Sequence, residues 1–478
     1  MSEKLGLTIK KEDDFSEWYN QLIIKSELID FSEVSGCYIL RPRSYFIWEQ
    51  VKEFLDKEFK KLNVKNLYFP LFIPEKLLQK EASHVEGFSP EVAWVTEAGN
   101  SKLSERLAVR PTSETIMYDS YSKWVRSWKD LPLLYNQWNN VVRWEFKHPT
   151  PLIRFREFLW QEGHTCHADK KDADEEVRTI LNIYRKVYEE ILAVPMLVGM
   201  KSEKEKFAGA DYTTSVETFL PSYKAVQAAT SHHLGQNFAK AFDIKYLDKD
   251  GKEKYVYQNS WGCTVRSLGV VVIMHSDDKG LVLPPRVAED QIVIIPIVFK
   301  DDKEKVKKIS KEIFKSLKKY RVKLDDREGY SAGFKFNDWE LKGIPIRIEL
   351  GPKDVAKNQA VIVRRDTNKK EVIKIKNIPE KVKELLEDIQ KNLFNQAKKF
   401  LNSNIVDVRD KKEFKQAIKD KKVVFAPWCG EVGCEEVIKD ENEGVKSLNI
   451  PFNQKKISEK CFYCDTEAKY KAYFAKSY

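Results

Sequence analysis

The chain has 478 residues, too many for one hydrophobic core, so we expect roughly two to four domains. Its composition, 42% hydrophobic and 33% charged with a mean hydropathy of −0.52, is typical of a soluble globular protein, and its net charge of +10 permits nucleic-acid binding without requiring it. The apolar runs at residues 268–274 and 292–299 are far shorter than the ~20 residues that span a bilayer, and the charged start lacks the apolar core of a signal peptide, so we expect a cytoplasmic protein with no membrane segment.

The first part of the chain combines two long helices with many short strands. Residues 45–62 and 172–194 carry apolar side chains at helical spacing, with lysine and glutamate between them. Strand-like segments are residues 67–74, 138–146, 153–159, 196–200 and 254–263. Because strands outnumber the helices between them, we expect an α+β domain built on an antiparallel sheet over residues 1–286.

The pattern changes after Pro284 and Pro285 to strands that alternate with helices. Strand-like runs at residues 291–299, 344–350 and 359–365 are separated by a lysine-rich helix at 302–319 and followed by a charged helix at 379–400. We expect a compact α/β domain over residues 287–400. The remaining segment, residues 401–478, holds four of the seven cysteines and is predicted to be a third, small domain.

The stretch from residue 141 to residue 164, VVRWEFKHPTPLIRFREFLWQEGH, concentrates arginines, carboxylates and aromatic rings. Its members are Arg143, Arg154 and Arg156, then Glu145, Glu157 and Glu162, then Trp144, Phe155, Phe158 and Trp160. Guanidinium groups bind phosphate oxygens in pairs, and an aromatic face can stack on a base. This stretch therefore suits a polyphosphate attached to a purine. The alternative is an exposed pair of strands connected by ion pairs.

The motif RPTSE at residues 110–114 places the hydroxyl of Thr112 near the carboxylate of Glu114. These groups could hold the ammonium group of a substrate, which needs several hydrogen-bond acceptors. The same residue types also cap helices, and residues 115–125 have helical spacing. The two interpretations are compatible, because a helix start holds a side chain rigidly.

Two adjacent histidines, His232 and His233, end the segment QAATSHH at residues 227–233. Adjacent side chains diverge and rarely bind one metal, and no cysteine or glutamate lies at ligand spacing. The sequence favours a polar substrate pocket here, or one buried and one exposed histidine, over a metal site.

The segment SWGCTVR at residues 260–266 enters an apolar, helix-like run. A glycine between a strand and a helix lets a ligand approach the backbone, and Arg266 would lie at the helix start, where anions are favoured. Neither a GxGxxG motif after a strand nor a GxxxxGK[ST] motif occurs, so we expect neither a dinucleotide-binding fold nor a P-loop.

Two close cysteine pairs lie near the end of the chain, Cys429 with Cys434 and Cys461 with Cys464. In a reducing compartment this spacing predicts a tetrahedral zinc site that can contribute on the order of 10 kcal/mol to folding a small module. Four thiolate ligands leave no open position for catalysis, so the zinc would be structural. The alternative is four unliganded cysteines.

Together these segments resemble class II aminoacyl-tRNA synthetases, most closely prolyl-tRNA synthetases of the archaeal and eukaryotic type. RPTSE is similar to the family's proline-binding loop, residues 45–74 to motif 1, residues 141–164 to motif 2 and residues 259–288 to motif 3. CGEVGCEE and the ending KYKAYFAKSY are similar to the C-terminal zinc module. The resemblance covers nearly the whole chain. It implies a class II catalytic domain (1–286), an α/β anticodon-binding domain (287–400) and a small C-terminal α/β zinc-binding domain (401–478).

The resemblance also implies roles for individual residues. The catalytic residues would be Arg143 and Arg266. Proline would be bound by Thr112, Glu114, Arg143, Trp160, Glu162, His164 and His232. ATP would be bound by Arg143, Glu145, Arg154, Phe158, Gln227, Thr230, Thr264 and Arg266. The anticodon could be read by Arg347, Glu349, Lys353 and Arg364, although each of these could equally belong to a solvated strand face. Structural zinc would be bound by Cys429, Cys434, Cys461 and Cys464.

The implied reaction joins L-proline to ATP, with Mg²⁺ sharing the phosphate charge, and then transfers the prolyl group to tRNA(Pro). The resemblance implies a homodimer and leaves open whether the chain joins a larger synthetase complex. The gap between motifs 2 and 3 is occupied by a long helix and strands, so we expect no editing domain within the chain. The alternatives are another class IIa specificity, a synthetase-like tRNA-binding protein that does not charge tRNA, and a zinc-containing RNA-binding protein without catalysis.

Overall fold

The secondary structure falls into three consecutive sets of helices and strands. The computed structural model describes residues 6–84, 91–145, 149–298, 303–455 and 457–478, with residues 80–84 described by their backbone alone. The helices of the first set are α1 (Phe15–Lys25), α2 (Pro42–Lys61), α3 (Glu75–His84), α4 (Glu114–Trp124), α5 (Lys170–Lys186), α6 (Asn237–Phe242) and α7 (Arg266–His275). Its strands are β1 (Ile29–Phe31), β2 (Tyr38–Leu40), β3 (Lys65–Asn66), β4 (Phe72–Pro74), β5 (Trp94–Ala98), β6 (Ser101–Val109), β7 (Leu133–Val142), β8 (Glu157–His167), β9 (Leu197–Met200), β10 (Tyr212–Leu220), β11 (Lys224–Gly235), β12 (Lys245–Leu247), β13 (Glu253–Tyr255) and β14 (Tyr257–Thr264).

The second and third sets are smaller. The second consists of β15 (Ile292–Pro296), α8 (Lys303–Ser316), β16 (Val322–Leu324), α9 (Ala332–Leu341), β17 (Ile346–Leu350), α10 (Pro352–Ala356), β18 (Gln359–Arg364), β19 (Lys370–Lys374) and α11 (Ile378–Ser403). The third consists of β20 (Ile405–Asp407), α12 (Lys411–Lys419), β21 (Val423–Trp428), α13 (Val432–Glu441), β22 (Lys446–Ser447), β23 (Ile450–Pro451) and β24 (Tyr470–Ala475).

An eight-stranded sheet in the order β23-β9-β10-β11-β14-β8-β7-β3 forms the centre of the molecule. β3 pairs with β7 in parallel, and the other neighbours are antiparallel. The α+β class with an antiparallel sheet, expected from the sequence, is therefore confirmed. One edge strand, β23, comes from the third set of elements, so the end of the chain completes the sheet that the first set begins.

Helix α5 packs on the back of this sheet because its apolar residues share one side. Val177, Ile180, Leu181 and Tyr184 are buried, and they recur at the three- and four-residue spacing of a helix face. Asp169 caps the helix start by accepting a hydrogen bond from the backbone N–H of Asp172. The Tyr184 hydroxyl donates to Gln161 Oε1 at 2.9 Å, which fixes the helix to the middle of β8.

The two smaller regions are both mixed α/β units. The second set forms a five-stranded sheet, β16-β15-β17-β18-β19, in which β15 runs parallel to β16 and β17 and the other pairs are antiparallel. The third set forms a four-stranded sheet, β20-β21-β24-β22, whose first pair alone is parallel. The α/β class expected for residues after 287 is confirmed in both.

Two strand predictions in the 141–164 stretch are shifted along the chain. The first strand, expected at residues 138–146, ends at Val142, and Phe146 lies outside the described residues. The second, expected at 153–159, does not begin until Glu157. Between them the Thr150 carbonyl accepts hydrogen bonds from the N–H groups of Ile153 (3.0 Å) and Arg154 (2.8 Å), which forms a tight turn. Pro151 lies inside this turn and has no N–H to donate to a strand.

Residues 161–260, all of which the structure describes, contain α5 with the π-helical segment Val187–Ile191 that follows it, α6 and the strands from β8 to β14, together with the segments that join them. An additional domain is therefore not inserted in this interval. Within the described ranges, no helix is both long enough and apolar enough to cross a bilayer.

Candidate active site

The candidate active site lies on one face of the central sheet, across β8, β14 and β11. In the strand register Glu162 lies opposite Gly262, and Gly262 lies opposite Thr230. The next row on the same face consists of His164, Ser260 and His232. Because residues two apart on a strand point to the same side, both rows present their side chains to one space.

A cleft of about 280 Å³ opens over these rows. The predicted proline- and ATP-binding residues that line it are Thr112, Glu114, Arg143, Phe158, Trp160, Glu162, His164, Gln227, Thr230, His232, Thr264 and Arg266. Two predicted residues do not line it. Glu145 is exposed beyond the end of β7, and Arg154 is half-buried in the turn at Thr150.

The carboxylate of Glu162 is buried at one end of the cleft, where it accepts several hydrogen bonds. The donors are Ser113 N (3.1 Å), Ser113 Oγ, Asn139 Nδ2 (2.8 Å) and Gln137 Nε2 (3.2 Å). His164 Nε2 lies 3.0 Å from its second oxygen. Burial alone would raise the pKa of Glu162, but His164 and the hydrogen-bond donors outweigh burial and lower it. Glu162 therefore stays charged and fixes the loop at Ser113 to the sheet.

His164 is held between two carboxylates and a tyrosine. Its Nδ1 lies 3.0 Å from the Tyr118 hydroxyl, and its Nε2 pairs with Glu162. Burial by itself would lower the pKa of His164, but the negative charges of Glu114 and Glu162 raise it above its usual value. The ligand atoms of His164, Glu114 and Glu162 lie within 4.8 Å of one another, as in a metal site. Both nitrogens of His164 and both oxygens of Glu162 are already engaged by protein groups, so the trio fits a hydrogen-bonded ion-pair network better than a set of metal ligands.

The loop before α4 brings a hydroxyl and a carboxylate to the cleft. Thr112 Oγ1 donates a hydrogen bond to Glu114 Oε2, and both side chains are buried in the cleft wall. Ser113 occupies the cap position of α4, but its hydroxyl donates to Glu162 and makes no hydrogen bond to the helix. The Ser113 side chain therefore does not cap α4, and the Thr112 hydroxyl and the Glu114 carboxylate line the cleft as oxygen acceptors.

His232 forms a neutral wall of the same cleft. Its Nδ1 lies 2.9 Å from Thr213 Oγ1, and its Nε2 lies 2.9 Å from Thr230 Oγ1. Burial, together with repulsion from His164, lowers the pKa of His232 to about 3. The ring of Phe207 lies 4.8 Å away, between centroids. His232 therefore contributes an uncharged, partly aromatic surface at physiological pH.

His233 points to the opposite face of β11 and is fully buried. Its Nε2 lies 3.6 Å from Asp174 and its Nδ1 lies 3.4 Å from Asp211, and its ring stacks on Tyr212. The two histidines therefore do not converge on one metal. His232 is half-buried in the cleft and His233 is fully buried, so neither histidine is exposed. The alternative of one buried and one exposed histidine is therefore not realised.

The other end of the cleft is positively charged. Arg266, the first residue of α7, donates from Nε to the Ile153 carbonyl (2.9 Å) and from Nη1 to the Gln227 carbonyl (2.9 Å). Burial lowers the pKa of Arg266 to about 10, with Tyr188 opposing this shift and the charges of Arg143 and Arg154 adding to it. Arg266 remains protonated at neutral pH and is held by backbone carbonyls, so its charge is available to an anion.

Arg143 lies between the carboxylate end and the arginine end. Its Nε donates to the Pro111 carbonyl at 3.0 Å, and its guanidinium lies 5.6 Å from the ring centroid of Phe158 and 5.4 Å from that of Trp160. These contacts hold a planar cation against aromatic faces, an arrangement that suits Arg better than Lys. Arg143 can therefore meet a carboxylate on one side and a phosphate on the other.

Several residues that shape the cleft were given no individual role from the sequence. Arg110 is 2% exposed and donates from Nε to the Asn140 carbonyl (2.8 Å) and from Nη1 to the Phe69 carbonyl (2.8 Å), which anchors the RPTSE loop. The others are Ser113, Gln137, Asn139, Phe207 and Thr213. Four amide side chains clustered within one strand, at residues 136, 137, 139 and 140 of LLYNQWNNVV, could have pointed to Gln137 and Asn139.

Comparisons with known proteins agree with this geometry. Three family models match: the class II tRNA synthetase core domain (G, H, P, S and T) at residues 94–275, the anticodon binding domain at 291–385, and the prolyl-tRNA synthetase C-terminal domain at 411–478. The cytoplasmic proline–tRNA ligase of Arabidopsis thaliana is 49% identical over 484 residues, which cover 99% of this chain and 91% of that protein. The chain belongs to the prolyl-tRNA synthetase family.

Relatives in the prolyl-tRNA synthetase family differ in length and in bound ligands. The fold matches a crystal structure of prolyl-tRNA synthetase from Cryptosporidium parvum complexed with L-proline and AMP, with a TM-score of 0.95, 50% identity and coverage of 99% of this chain and 97% of that one. The bifunctional glutamate/proline–tRNA ligase of Mus musculus is 48% identical over 500 residues. The match covers 99% of this chain but only 33% of that protein, so this chain spans about a third of the bifunctional relative.

In the region that matches the prolyl-tRNA synthetase C-terminal domain, four cysteines converge. The sulfur atoms of Cys429, Cys434, Cys461 and Cys464 all lie within 4.8 Å of one another. Cys434 and Cys461 are 3.9 Å apart, and Cys429 and Cys464 are 3.7 Å apart, with no disulfide between them. Four sulfurs at 2.3 Å from a tetrahedral zinc would be about 3.8 Å apart. The donor set and its spacing therefore fit zinc.

In the region that matches the anticodon binding domain, three of the four residues suggested to read bases are engaged in ion pairs. Arg347 and Glu349 are each 6% exposed, and Arg347 Nε donates to Glu349 Oε1 at 3.0 Å. Arg364 donates to both oxygens of Asp366 (3.0 and 2.7 Å). Lys353 is exposed on α10. In this prolyl-tRNA synthetase fold, Arg347 and Glu349 would have to leave their pair to contact a base.

Proposed function

We propose that this chain is a proline–tRNA ligase that activates L-proline with ATP and transfers the prolyl group to the 3′ end of tRNA(Pro). The observation that carries the proposal is the cleft itself, in which a loop with two acceptors faces two arginines across a short row of strand residues. Relatives that match this chain along most of its length are proline–tRNA ligases, and a structural neighbour is complexed with L-proline and AMP.

Proline would occupy the carboxylate end. The ammonium group of proline would donate to Thr112 and Glu114. The apolar ring of proline would lie against Trp160 and the neutral imidazole of His232. Glu162 and His164 would shape the proline pocket by holding its wall in place. Glu162 accepts hydrogen bonds from the loop that carries Thr112, and His164 pairs with Glu162. A charged imidazole at position 232 would repel the ammonium, so the lowered pKa of His232 favours this arrangement.

ATP would occupy the arginine end. Arg143 would contact the α-phosphate and the proline carboxylate, and Arg154 and Arg266 would contact the outer phosphates. Phe158 would stack on the adenine, whose amine would meet Glu145, and Gln227, Thr230 and Thr264 would complete the site. The proline carboxylate attacks the α-phosphorus and pyrophosphate leaves, so no protein nucleophile is needed. Alignment of the two substrates can supply ~7–11 kcal/mol of the rate enhancement, and fixed positive charge adds to it.

We further propose one structural metal and one metal carried by the substrate. Cys429, Cys434, Cys461 and Cys464 would hold zinc within a C-terminal domain of residues 401–478, and Mg²⁺ would accompany ATP. The catalytic domain would span residues 1–286 and the anticodon-binding domain residues 287–400, with Arg347, Glu349, Lys353 and Arg364 near the anticodon.

A homodimer in the cytoplasm is the proposed working form. Large apolar side chains around α2 and β4 are exposed, notably Phe31 (55%), Ile39 (51%) and Tyr68 (69%), and these side chains could pack against a second copy. A relative of similar length is named as a cytoplasmic enzyme.

We also propose that the chain does not hydrolyse alanyl-tRNA(Pro), because no additional domain lies in residues 161–260. Alanine lacks only methylenes, which a pocket discriminates by ~1–3 kcal/mol, so some mischarging is expected.

Amino-acid-dependent exchange of pyrophosphate into ATP, measured with a panel of amino acids, tests the proposal. Exchange that is strongest with proline supports it. Exchange that is strongest with threonine or histidine would identify another specificity of the same subclass. No exchange with any amino acid, combined with tight tRNA binding, would identify a tRNA-binding protein that does not charge tRNA. Transfer of proline to tRNA(Pro) in a second assay completes the test.

A further inference from the structure

Arg365 of the anticodon-binding region and Asp277 of the catalytic region form a bidentate ion pair. Arg365 Nη1 lies 2.8 Å from Asp277 Oδ2, and Nη2 lies 2.5 Å from Oδ1. The Arg365 side chain is only 2% exposed, and its Nε donates to the Glu340 carbonyl at 3.1 Å. A planar guanidinium that is buried and held on three sides fixes the position of its partner more strictly than a surface ion pair does.

Asp277 lies immediately after the C-terminal end of α7. The last carbonyls of this helix are also held from the other side, because Lys11 Nζ donates to the carbonyls of Ile273 (2.9 Å) and Ser276 (3.1 Å). A cation at a helix C-terminus is favourable, since the helix dipole is negative there. The end of α7 is therefore held by the N-terminal segment on one side and by the anticodon-binding region on the other.

Next to this pair, the backbones of the catalytic and anticodon-binding regions are in close contact, at Gly280 and Leu281 on one side and Leu341 on the other; we call this contact the joint. The Leu281 N–H donates to the Leu341 carbonyl at 3.0 Å. A Cβ at Gly280 would lie 2.4 Å from the Cα of Leu341, so only glycine allows the backbones to approach this closely. Gly280 also has a φ of +140°, which side chains other than glycine rarely adopt. Movement of the end of α9 would therefore be transmitted to the segment that follows α7.

Helix α7 connects this joint to the active-site cleft. It begins at Arg266 and ends at His275, and its residues from Ser267 to Met274 are buried. A Cβ at Gly269 would lie 2.3 Å from the Leu152 carbonyl, so the helix presses directly on the turn whose Ile153 carbonyl accepts from Arg266 Nε. A ten-residue helix that is buried along its length moves as one body, so a displacement at its end also displaces Arg266.

We infer that Arg365 and Asp277 are positioning residues for the ATP site, through which the anticodon-binding region sets the position of α7 and of Arg266. Neither residue touches the cleft. The inference rests on the proposed function, because it concerns how well Arg266 meets the phosphates of ATP. An ion pair that only stabilises the fold would, when lost, impair the reaction equally for ATP and for proline. Loss of a positioning pair should instead lower kcat/KM for ATP more than it changes KM for proline.

The test compares Arg365→Ala, Arg365→Lys and Asp277→Asn in the full chain by proline-dependent pyrophosphate exchange. We expect kcat/KM for ATP to fall about ten-fold in Arg365→Ala, because small displacements of a catalytic group far from the substitution can cost up to a hundred-fold. KM for proline should stay within about two-fold of the parental value, since the loop at Thr112 is anchored by Glu162 and not by α7. Arg365→Lys, which keeps one hydrogen bond, should give an intermediate loss.

A double substitution and a matched control sharpen the test. Arg365→Ala combined with Asp277→Asn should lose no more than the worse of these two single variants, because the two residues act as a unit. Arg286→Ala is the control, since Arg286 also spans this joint, but its guanidinium donates to the Glu190 carbonyl (3.0 Å) and to Glu387 of α11 (3.3 Å) and not to the end of α7. Its KM values for both substrates should match those of the parental chain.

The outcomes separate the inference from the proposed function. Parental kinetics for ATP in Arg365→Ala and Asp277→Asn would overturn the inference, and so would an equal loss for ATP and proline that follows the unfolded fraction in a thermal melt. If Arg365→Ala does not fold, Arg365→Lys and Asp277→Asn give the same comparison. Failure of the parental chain to exchange pyrophosphate with proline would overturn the proposed function instead.

Discussion

Ser113 and Glu162 are joined by two hydrogen bonds, from the backbone N–H and the hydroxyl of Ser113 to the two oxygens of the Glu162 carboxylate. This contact ties the loop that carries Thr112 to the middle of β8. We expect Glu162→Gln to raise KM for proline about ten-fold or more and to lower the free energy of unfolding by about 1–3 kcal/mol, because the amide introduces donors among groups that already donate.

The measurements for this variant are the KM for proline in pyrophosphate exchange and urea unfolding followed by tryptophan fluorescence. Glu157→Gln is the control, because Glu157 begins the same strand but is exposed, and its carboxylate accepts a hydrogen bond from Asn140 Nδ2 at 2.8 Å. Parental KM and stability in Glu162→Gln would show that the loop is held by other contacts.

Arg143 lies between the two ends of the cleft, so its loss should affect chemistry more than folding. We expect Arg143→Ala to lower kcat for pyrophosphate exchange about 10²–10³-fold, which is typical for removal of one group that stabilises developing charge. Arg156→Ala should be close to parental, since Arg156 belongs to the same stretch but stacks on Trp144 outside the cleft, at 4.7 Å from the ring centroid. Exchange by Arg143→Ala near the parental rate, in a chain with an unchanged circular dichroism spectrum, would contradict the role.

The contributions of the two cleft histidines, His232 and His164, to folding stability should change with pH in opposite directions. The pKa of His232 is lowered to about 3, mainly by burial, so the folded state binds this proton more weakly than the unfolded chain, whose histidines titrate near about 6.5. Its contribution to stability is therefore present above about pH 6.5 and is lost as the pH falls towards 3. The pKa of His164 is raised, so its contribution is full below about pH 6.5 and declines as the pH rises through the folded pKa.

Selective ¹³C labelling of histidine and NMR titration can check these directions. The His232 resonance, assigned with His232→Asn, should not titrate between pH 5 and pH 9 (roughly the range in which an unperturbed histidine changes charge). The urea midpoint of His232→Asn should fall less steeply below pH 6 than that of the parental chain. A titration of His232 near its ordinary pKa would mean that water reaches the ring.

Gly163 gives a packing test of the sheet behind the cleft, because Gly163 and Trp261 alternate with the cleft-facing residues of β8 and β14 and point to the opposite face. A Cβ at this position would lie 2.2 Å from the ring of Trp261, which is 1% exposed and packs on Phe59 of α2 with 4.7 Å between ring centroids. We expect Gly163→Ala to destabilise the fold by about 1–3 kcal/mol and to disturb proline binding, because a buried indole cannot move without displacing its neighbours. Gly333→Ala is the control, since nothing lies within 4 Å of the added methyl and alanine favours the helix by up to about 1 kcal/mol. Equal urea midpoints for the two variants would contradict the packing argument.

Removal of metal should unfold the end of the chain. If zinc is held by the four cysteines, a strong chelator at neutral pH should release about one zinc per chain and lower the thermal unfolding temperature. Cys461→Ser should reproduce both effects, because Cys461 is buried in the cluster. Cys37→Ser is the control, since Cys37 lies far from the cluster in sequence and is not among its four sulfurs. A chain purified without chelators that contains no metal would contradict this prediction.

The parts of the site that the sequence predicted are those carried by short, continuous segments. Thr112 and Glu114 come from one loop, and Arg143, Phe158 and Trp160 come from one stretch, so their residue types suffice to identify the chemistry. The anchoring of Glu162 by Gln137 and Asn139 depends on the register of β7 against β8, which periodicity does not give. The ion pair between Asp277 and Arg365 joins residues 88 positions apart, and no local pattern marks either one.

The fold was predicted in its class and less well in its boundaries. Long amphipathic helices such as α5 were clear because burial on one side repeats over many residues. The turn at Thr150 was missed because apolar residues there, such as Ile153, are buried by α7 and not by a strand ladder. The two-residue strand β23 has no periodicity at all, and its pairing is decided by contacts with residues far earlier in the chain.

The pairing of β23 with β9 has a consequence for folding during synthesis of the chain. Asn449 Nδ2 bonds to the Leu197 carbonyl, a partner 252 positions earlier, and Ile450 then pairs with Met200. During synthesis one side of the β9 backbone therefore stays unpaired until residues 449–451 have left the ribosome. An open strand edge of this kind recruits other chains, so premature termination before residue 450 should yield an aggregation-prone product, even though every residue of the cleft has already been translated.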